Sequence, residues 1–198
     1  MNYSLYVEST PNPEVMKFVS NRMLVDQSIE ITNIEEAKDI SIAKEVLKFP
    51  FVKSVYLSQN FMSITKMRDV EWDTIAMQLR AFISDFLNQE GVKNYTENVP
   101  KVKKQFQETK LKTNEDEDNN LSEKEKHIIS LLNEYIKPAV ESDGGSITFH
   151  SYKENIVTVN LRGACSGCPS ASSTLKMGIE SLLKEKIDNN IIVQANEG

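Results

Sequence analysis

The feature that most restricts how this chain can fold is a stretch with almost nothing to bury. Residues 95–120 read "YTENVPKVKKQFQETKLKTNEDEDNN", dense in charge and amide side chains. Such a segment cannot cover enough apolar surface to offset a backbone entropy cost of roughly 1–2 kcal/mol per residue. It reads as a flexible spacer that would reach on the order of 28 Å, and further where its charges repel. A charged helix across "VKKQFQETKLK" would stiffen it, and the acidic run "NEDED" reads as a solvated spacer. The expected architecture is therefore α/β (α+β) in two small domains. Residues 1–93 form a mixed α/β domain, 94–120 the charged linker, and 121–198 a second domain of order α-β-β-α.

Composition narrows the function classes. Hydrophobic residues make up 39% of the 198, in keeping with a chain that is not packed throughout. A formal net charge of −6 argues against the electropositive surface that binds phosphates, so nucleic acid is not an expected partner. The same sign disfavours an anionic membrane leaflet, and no apolar run approaches the roughly 20 residues needed to cross a bilayer. The opening "MNYSLYVESTPNPEV" has neither a basic segment followed by an apolar run nor an arginine-rich amphipath. The expected location is the cytoplasm, where thiols stay reduced.

In the first half, "SLYVEST", "VMKFVS" and "MLVDQSIEI" read as strands, the first two separated by the turn-rich "TPNPEV". A helix is expected over "DISIAKEVLKF", with Ile42, Val46 and Phe49 on one face. "VKSVYLS" and "FMSITKM" read as a hairpin turning at Gln59–Asn60. Asp73 is a good N-cap for a helix whose buried stripe is Ile75, Leu79, Phe82, Ile83 and Phe86, with Trp72 stapled against Met77. This half has neither cysteine nor histidine and no catalytic set.

In the second half, Ser122 and Glu125 make an S-x-x-E capping box at the head of a helix with Ile128, Leu131, Leu132, Tyr135 and Ile136 inward. The helix stops at "SDGG", where glycine accepts a left-handed conformation. "SITFHSY" and "IVTVNLR" read as a hairpin turning at Lys153–Glu154–Asn155. A last helix from about Pro169 to Lys186 and a short strand at "IIVQA" complete it.

Cys165 and Cys168, in "RGACSGCPS", are the chain's entire supply of sulfhydryl groups. They leave a strand and enter a helix. Pro169 suits the first helical position and makes Cys168 the expected N-cap, where unpaired N–H groups and the helix dipole favour a thiolate. The loop reads as built to hold negative sulfur near solvent. A dithiol oxidoreductase is the competing class, but only 30 residues follow Cys168, too few for the strands that normally follow such a motif. Zinc would need four ligands, and His127 and His150, the two nitrogen donors, read as surface residues; paired loops from two chains could still complete a four-cysteine site. An iron–sulfur cluster likewise takes four thiolates, which two copies related by a twofold axis could supply. Spacing alone does not separate iron from zinc.

The residues then carry a resemblance. Asp143-Gly144-Gly145, the hairpin, Gly163, Cys165-Ser166-Gly167-Cys168-Pro169, Thr174-Leu175 and Gly178-Ile179 resemble the C-terminal domain of NifU-type (Nfu) iron–sulfur cluster proteins. "TPNPEVMKF", "IAKEVLKFPFVKSVYLSQNFMSITK" and "EWDTI" resemble that family's N-terminal domain. One departure is Phe51, where the family usually carries glycine. The resemblance implies a scaffold and carrier, not an enzyme, that binds a [4Fe–4S] cluster bridged between two subunits through Cys165 and Cys168. It also implies a homodimer in the loaded state, an upstream cluster donor and apo-protein acceptors. Pro11, Asn12 and Pro13 are assigned no chemistry, only a part in the fold or in a docking surface.

Overall fold

Strict alternation in the first half builds a sheet whose two faces have different fates. The computed structural model describes residues 2–37, 40–90, 121–166 and 169–196; the expected linker, 94–120, lies outside them. Strands β1 (Leu5–Ser9), β2 (Val15–Ser20), β3 (Ile29–Ile31), β4 (Val52–Ser58) and β5 (Phe61–Lys66) form an antiparallel sheet of order β1-β2-β5-β4-β3. Helices α1 (Ser41–Val46) and α2 (Trp72–Glu90) complete this half. Phe18, Val55, Leu57, Met62 and Ile64 point to one face, where Ile42, Val46, Leu79, Ile83 and Leu87 close the core.

Three details differ from the sequence reading. The strand expected over nine residues keeps only Ile29–Ile31, and α1 ends at Val46 because Pro50 disfavours helical backbone at the residue before it. Trp72 lies inside α2, stacks edge-on to Phe18 at 6.4 Å and donates its Nε1 proton to the Pro13 carbonyl, while Met77 faces solvent. Phe51 does not need the backbone freedom of glycine: its φ is not positive, and its ring joins Phe49 and Phe82 in an aromatic cluster.

The second half begins with α3 (Glu123–Leu131), whose N-terminus carries the complete Ser122–Glu125 capping box. A π-helical turn, Leu132–Ile136, connects it to α4 (Lys137–Ser142). Pro138 explains the turn: it offers no N–H to the carbonyl four residues back, and a wider turn keeps its ring clear of the preceding backbone. The extra residue shifts the buried stripe, so Tyr135, expected inside, is exposed. Strands β6 (Gly145–Lys153) and β7 (Ile156–Gly163) pair across a two-residue turn with Glu154 and Asn155 at φ of 50° and 64°. Helix α5 (Pro169–Lys186) returns the chain to β8 (Ile192–Asn196), which lies parallel to β7. Glu180 ties that helix to that strand, accepting the Val193 N–H at 3.0 Å and pairing with Lys184. Ile128, Val140, Ile147, Val157, Val159, Ile179, Leu183 and Val193 make the second core. The mixed α/β class with helices on two sheets is the one the sequence implies.

The other face of the first sheet carries Lys17, Ser54, Tyr56, Phe61 and Ser63, a set that alternation alone would leave to water. All five are buried. Gly163, with φ of +64°, lies against this face: a β-carbon there would meet the Gly144 carbonyl oxygen at 2.7 Å and the Tyr56 ring at 2.8 Å. Gly163→Ala is expected to cost about 1–3 kcal/mol through strain and collision. Gly178→Ala, in α5 with open space around it, is expected to gain up to about 1 kcal/mol. Paired thermal melts of the two variants check the contrast.

Candidate functional site

Cys165 occupies a turn at the end of β7 that is fastened on several sides. The Ser166 N–H and hydroxyl both donate to the Gly163 carbonyl, at 3.1 and 2.9 Å. The Ala164 N–H donates to the Gly144 carbonyl at 3.2 Å, binding the turn to the junction between α4 and β6. That junction has to be glycine where it passes the thiol: a β-carbon on Gly145 would sit 2.7 Å from the Cys165 Sγ.

The thiol is free and only 7% exposed. Burial, and after it the charge of Asp143, push the Cys165 thiol up to about 11 from an ordinary 9.0. This corrects the expectation of a loop that favours thiolate near solvent. The helix-terminus expectation concerned Cys168; Cys165 is buried in the second core beside Val140 and Leu175, which favours its neutral form. Cys168 itself, with its expected capping role, lies outside the described residues.

A cavity of about 380 Å³ opens beside the thiol, lined by Pro11, Val140, Asp143, Ala164, Cys165 and Leu175 among others. His127 and His150 are exposed, as the sequence suggests. Among the described residues no three His, Cys, Asp or Glu side chains gather closely enough to hold a metal ion. The soft sulfur of Cys165 is thus a donor without a complete ligand set around it. What the turn can offer chemically is part of a coordination shell.

The first half of the chain contributes residues that sequence reasoning left without a role at the site. The Asn12 side-chain amide donates to the carbonyls of Ala164 and Ser166, both at 3.3 Å, so one side chain spans the two sides of Cys165. Lys17 Nζ donates to the Ser142 carbonyl at 2.8 Å, and the Ser63 hydroxyl to the Gly144 carbonyl at 2.6 Å. The Gly163 N–H bonds the Glu30 carboxylate; burial raises that carboxyl above its ordinary value, and Gly163 and Arg162 offset part of the rise. The signal in the sequence was the pair of prolines flanking Asn12, which marks a rigid turn but cannot say what the turn faces.

The comparisons with known proteins agree on one lineage. Residues 5–90 match the family model described as scaffold protein Nfu/NifU N terminal, and residues 128–194 match the NifU-like domain. Among similar proteins, NifU-like protein 4, mitochondrial, of Arabidopsis thaliana is 32% identical over 186 residues, covering 90% of this chain and 61% of that protein. NifU-like protein 5, mitochondrial, of the same plant is 32% identical, covering 90% and 62%. The mitochondrial NFU1 iron–sulfur cluster scaffold homolog of Drosophila willistoni is 29% identical over 182 residues, covering 91% and 59%. The chain spans about three-fifths of the length of these relatives.

The expected cytoplasmic location is overturned, because these relatives are mitochondrial and point to that compartment instead. The polar opening residues belong to the first sheet and carry a folding signal, from which no address can be read. Two matched models and similarity across nine-tenths of the sequence lead to one conclusion: the chain belongs to the Nfu/NifU scaffold family.

Proposed function

We propose that this protein is an iron–sulfur cluster scaffold and carrier, with Cys165 and Cys168 as its metal-binding residues. Its cargo is a [4Fe–4S] cluster held jointly by two copies of the chain, received from an upstream donor and passed to apo-proteins. The observation that carries this reading is the free Cys165 thiol in a glycine-lined turn, with no convergent third donor among the described residues. Thiolate is the ligand such clusters usually take, and a twofold axis doubles whatever one turn offers. The names of the relatives support the cargo. A cargo shared across an interface can leave when an acceptor offers a full ligand set, which suits delivery rather than permanent electron transfer. The division of labour is a cysteine-bearing domain over 121–198 and a domain without ligands over 1–93, joined by 94–120. The role is not catalytic, and neither nucleic acid nor membrane takes part; no helix among the described residues is long and apolar enough to cross a bilayer.

Anaerobic reconstitution tests the proposal. The loaded protein is expected to carry about one four-iron cluster per two chains, at dimer mass. Cys165→Ser and Cys168→Ser should each abolish iron and sulfide binding, whereas His150→Ala should retain it. Iron retained by either cysteine variant, or reversible disulfide turnover without iron, would point instead to a thiol–disulfide oxidoreductase.

Iron displaces a thiol proton on binding, so the state of Cys165 before loading is measurable too. Its pKa in the folded chain is raised, so its contribution to stability is fully present below the ordinary 9.0 and is lost as pH rises through about 11. In Cys168→Ser, ultraviolet thiolate absorbance should rise with a midpoint near 11, accompanied by falling stability. Asp143→Asn should lower that midpoint by removing the nearby negative charge.

A further inference from the structure

The polar face of the first sheet is shaped to receive backbone carbonyls. Asn12, Lys17 and Ser63 aim their donors outward from a turn and two adjacent strands, and between them capture the carbonyls of Ser142, Gly144, Ala164 and Ser166. These acceptors have a common origin. Ser142 ends α4 and Gly144 follows it, so their carbonyls lie at the negative end of a helix, where a lysine ammonium is the complementary charge. Ala164 and Ser166 flank the thiol. The receiving surface therefore reads one feature, the cysteine turn together with the helix end that supports it.

Engagement is tight enough to bury Asn12 to 2% and Ser63 to 1% exposure, and it adds Pro11 as a wall beside Cys165, which otherwise belongs to the second core. It is also imperfect: among the described residues the Tyr56 hydroxyl, buried in the same face, has no partner. An unpaired buried hydroxyl lowers the net stability of the contact and favours its reversal.

We infer that this sheet face is a receptor for the chain's own cysteine turn, and that its occupation excludes a second copy from the same turn. The inference rests on the carrier reading for its second part. While Asn12, Lys17 and Ser63 hold the turn, Pro11 walls one side of the cavity beside the thiol and the Asn12 amide is bonded to the backbone next to it, so this side of the turn faces the first domain and not a second copy. Release of the first domain is then the step that precedes cluster sharing. Asn12 acts through the backbone of the turn, as a positioning residue that determines whether the sulfur can be reached.

Asn12→Asp separates this role from folding. The substitution keeps the Oδ1 acceptor that holds the Glu14 N–H at 3.0 Å within its own turn. It replaces the amide donor with negative oxygen facing two carbonyls. Ser63→Ala removes one hydroxyl from the opposite side of the contact. The test uses the full chain, anaerobic and metal-free, with iodoacetamide as probe and Cys165 resolved from Cys168 by peptide mass. Asn12→Asp should speed alkylation of Cys165 by roughly tenfold and Ser63→Ala by roughly threefold to fivefold, as expected for losing two and one buried hydrogen bonds. Both variants should also show a larger hydrodynamic radius and faster cluster uptake than the parent chain. Unchanged alkylation and radius in both folded variants would overturn the receptor face. Faster alkylation with no iron taken up by any of the proteins would support the receptor face and overturn the carrier reading instead.

Discussion

Burying a lysine and serines on the outer face of a sheet is costly unless their donors find acceptors; Glu8 on the adjacent strand pairs with Lys17 at 3.2 Å, and the other acceptors come from far along the chain. Lys17 is in reach of the end of α4, Ser63 of the Gly144 carbonyl, and Asn12 of both sides of Cys165. Each bond has a modest net value, near 1 kcal/mol, but an unmade one would leave a desolvated donor at greater cost. The set therefore behaves as a unit. It fixes the position of the turn that carries Cys165 against the first sheet.

Most of the secondary structure was legible because its causes are local. The β4–β5 and β6–β7 hairpins follow from alternation and turn residues, the head of α3 from Ser122 and Glu125, and the stop of α4 from Gly144, whose φ is +82°. What escaped was set by residues that compete. Pro138 turned part of a helix into a wider coil and rotated Tyr135 outward; Pro50 trimmed α1; Trp72 found Phe18 and the Pro13 carbonyl rather than Met77. Each involves a contact or a backbone conflict that periodicity does not encode.

The turn that carries Cys165 was legible in the sequence, whereas its environment was not. Glycines around a cysteine pair point to a ligand turn, and the thiol is free in such a turn. The carbonyls on either side of it are held by Asn12, more than 150 positions earlier in the sequence. A short polar residue between two prolines carries no sign of such a distant partner. The mitochondrial affinity of the relatives was equally out of reach, since sorting information need not lie in residues that fold.

The grip of Glu180 on Val193 has a mechanical consequence for the cysteine turn. With its middle moored to the last strand, α5 is a lever whose fulcrum stands 11 residues from Pro169, or about 16 Å at the helical rise. A tilt of about 10° at that fulcrum would displace the leading end by about 3 Å over the same arm. A rotation of that size would carry the leading end of α5 through angstroms while the rear half of the helix stayed seated.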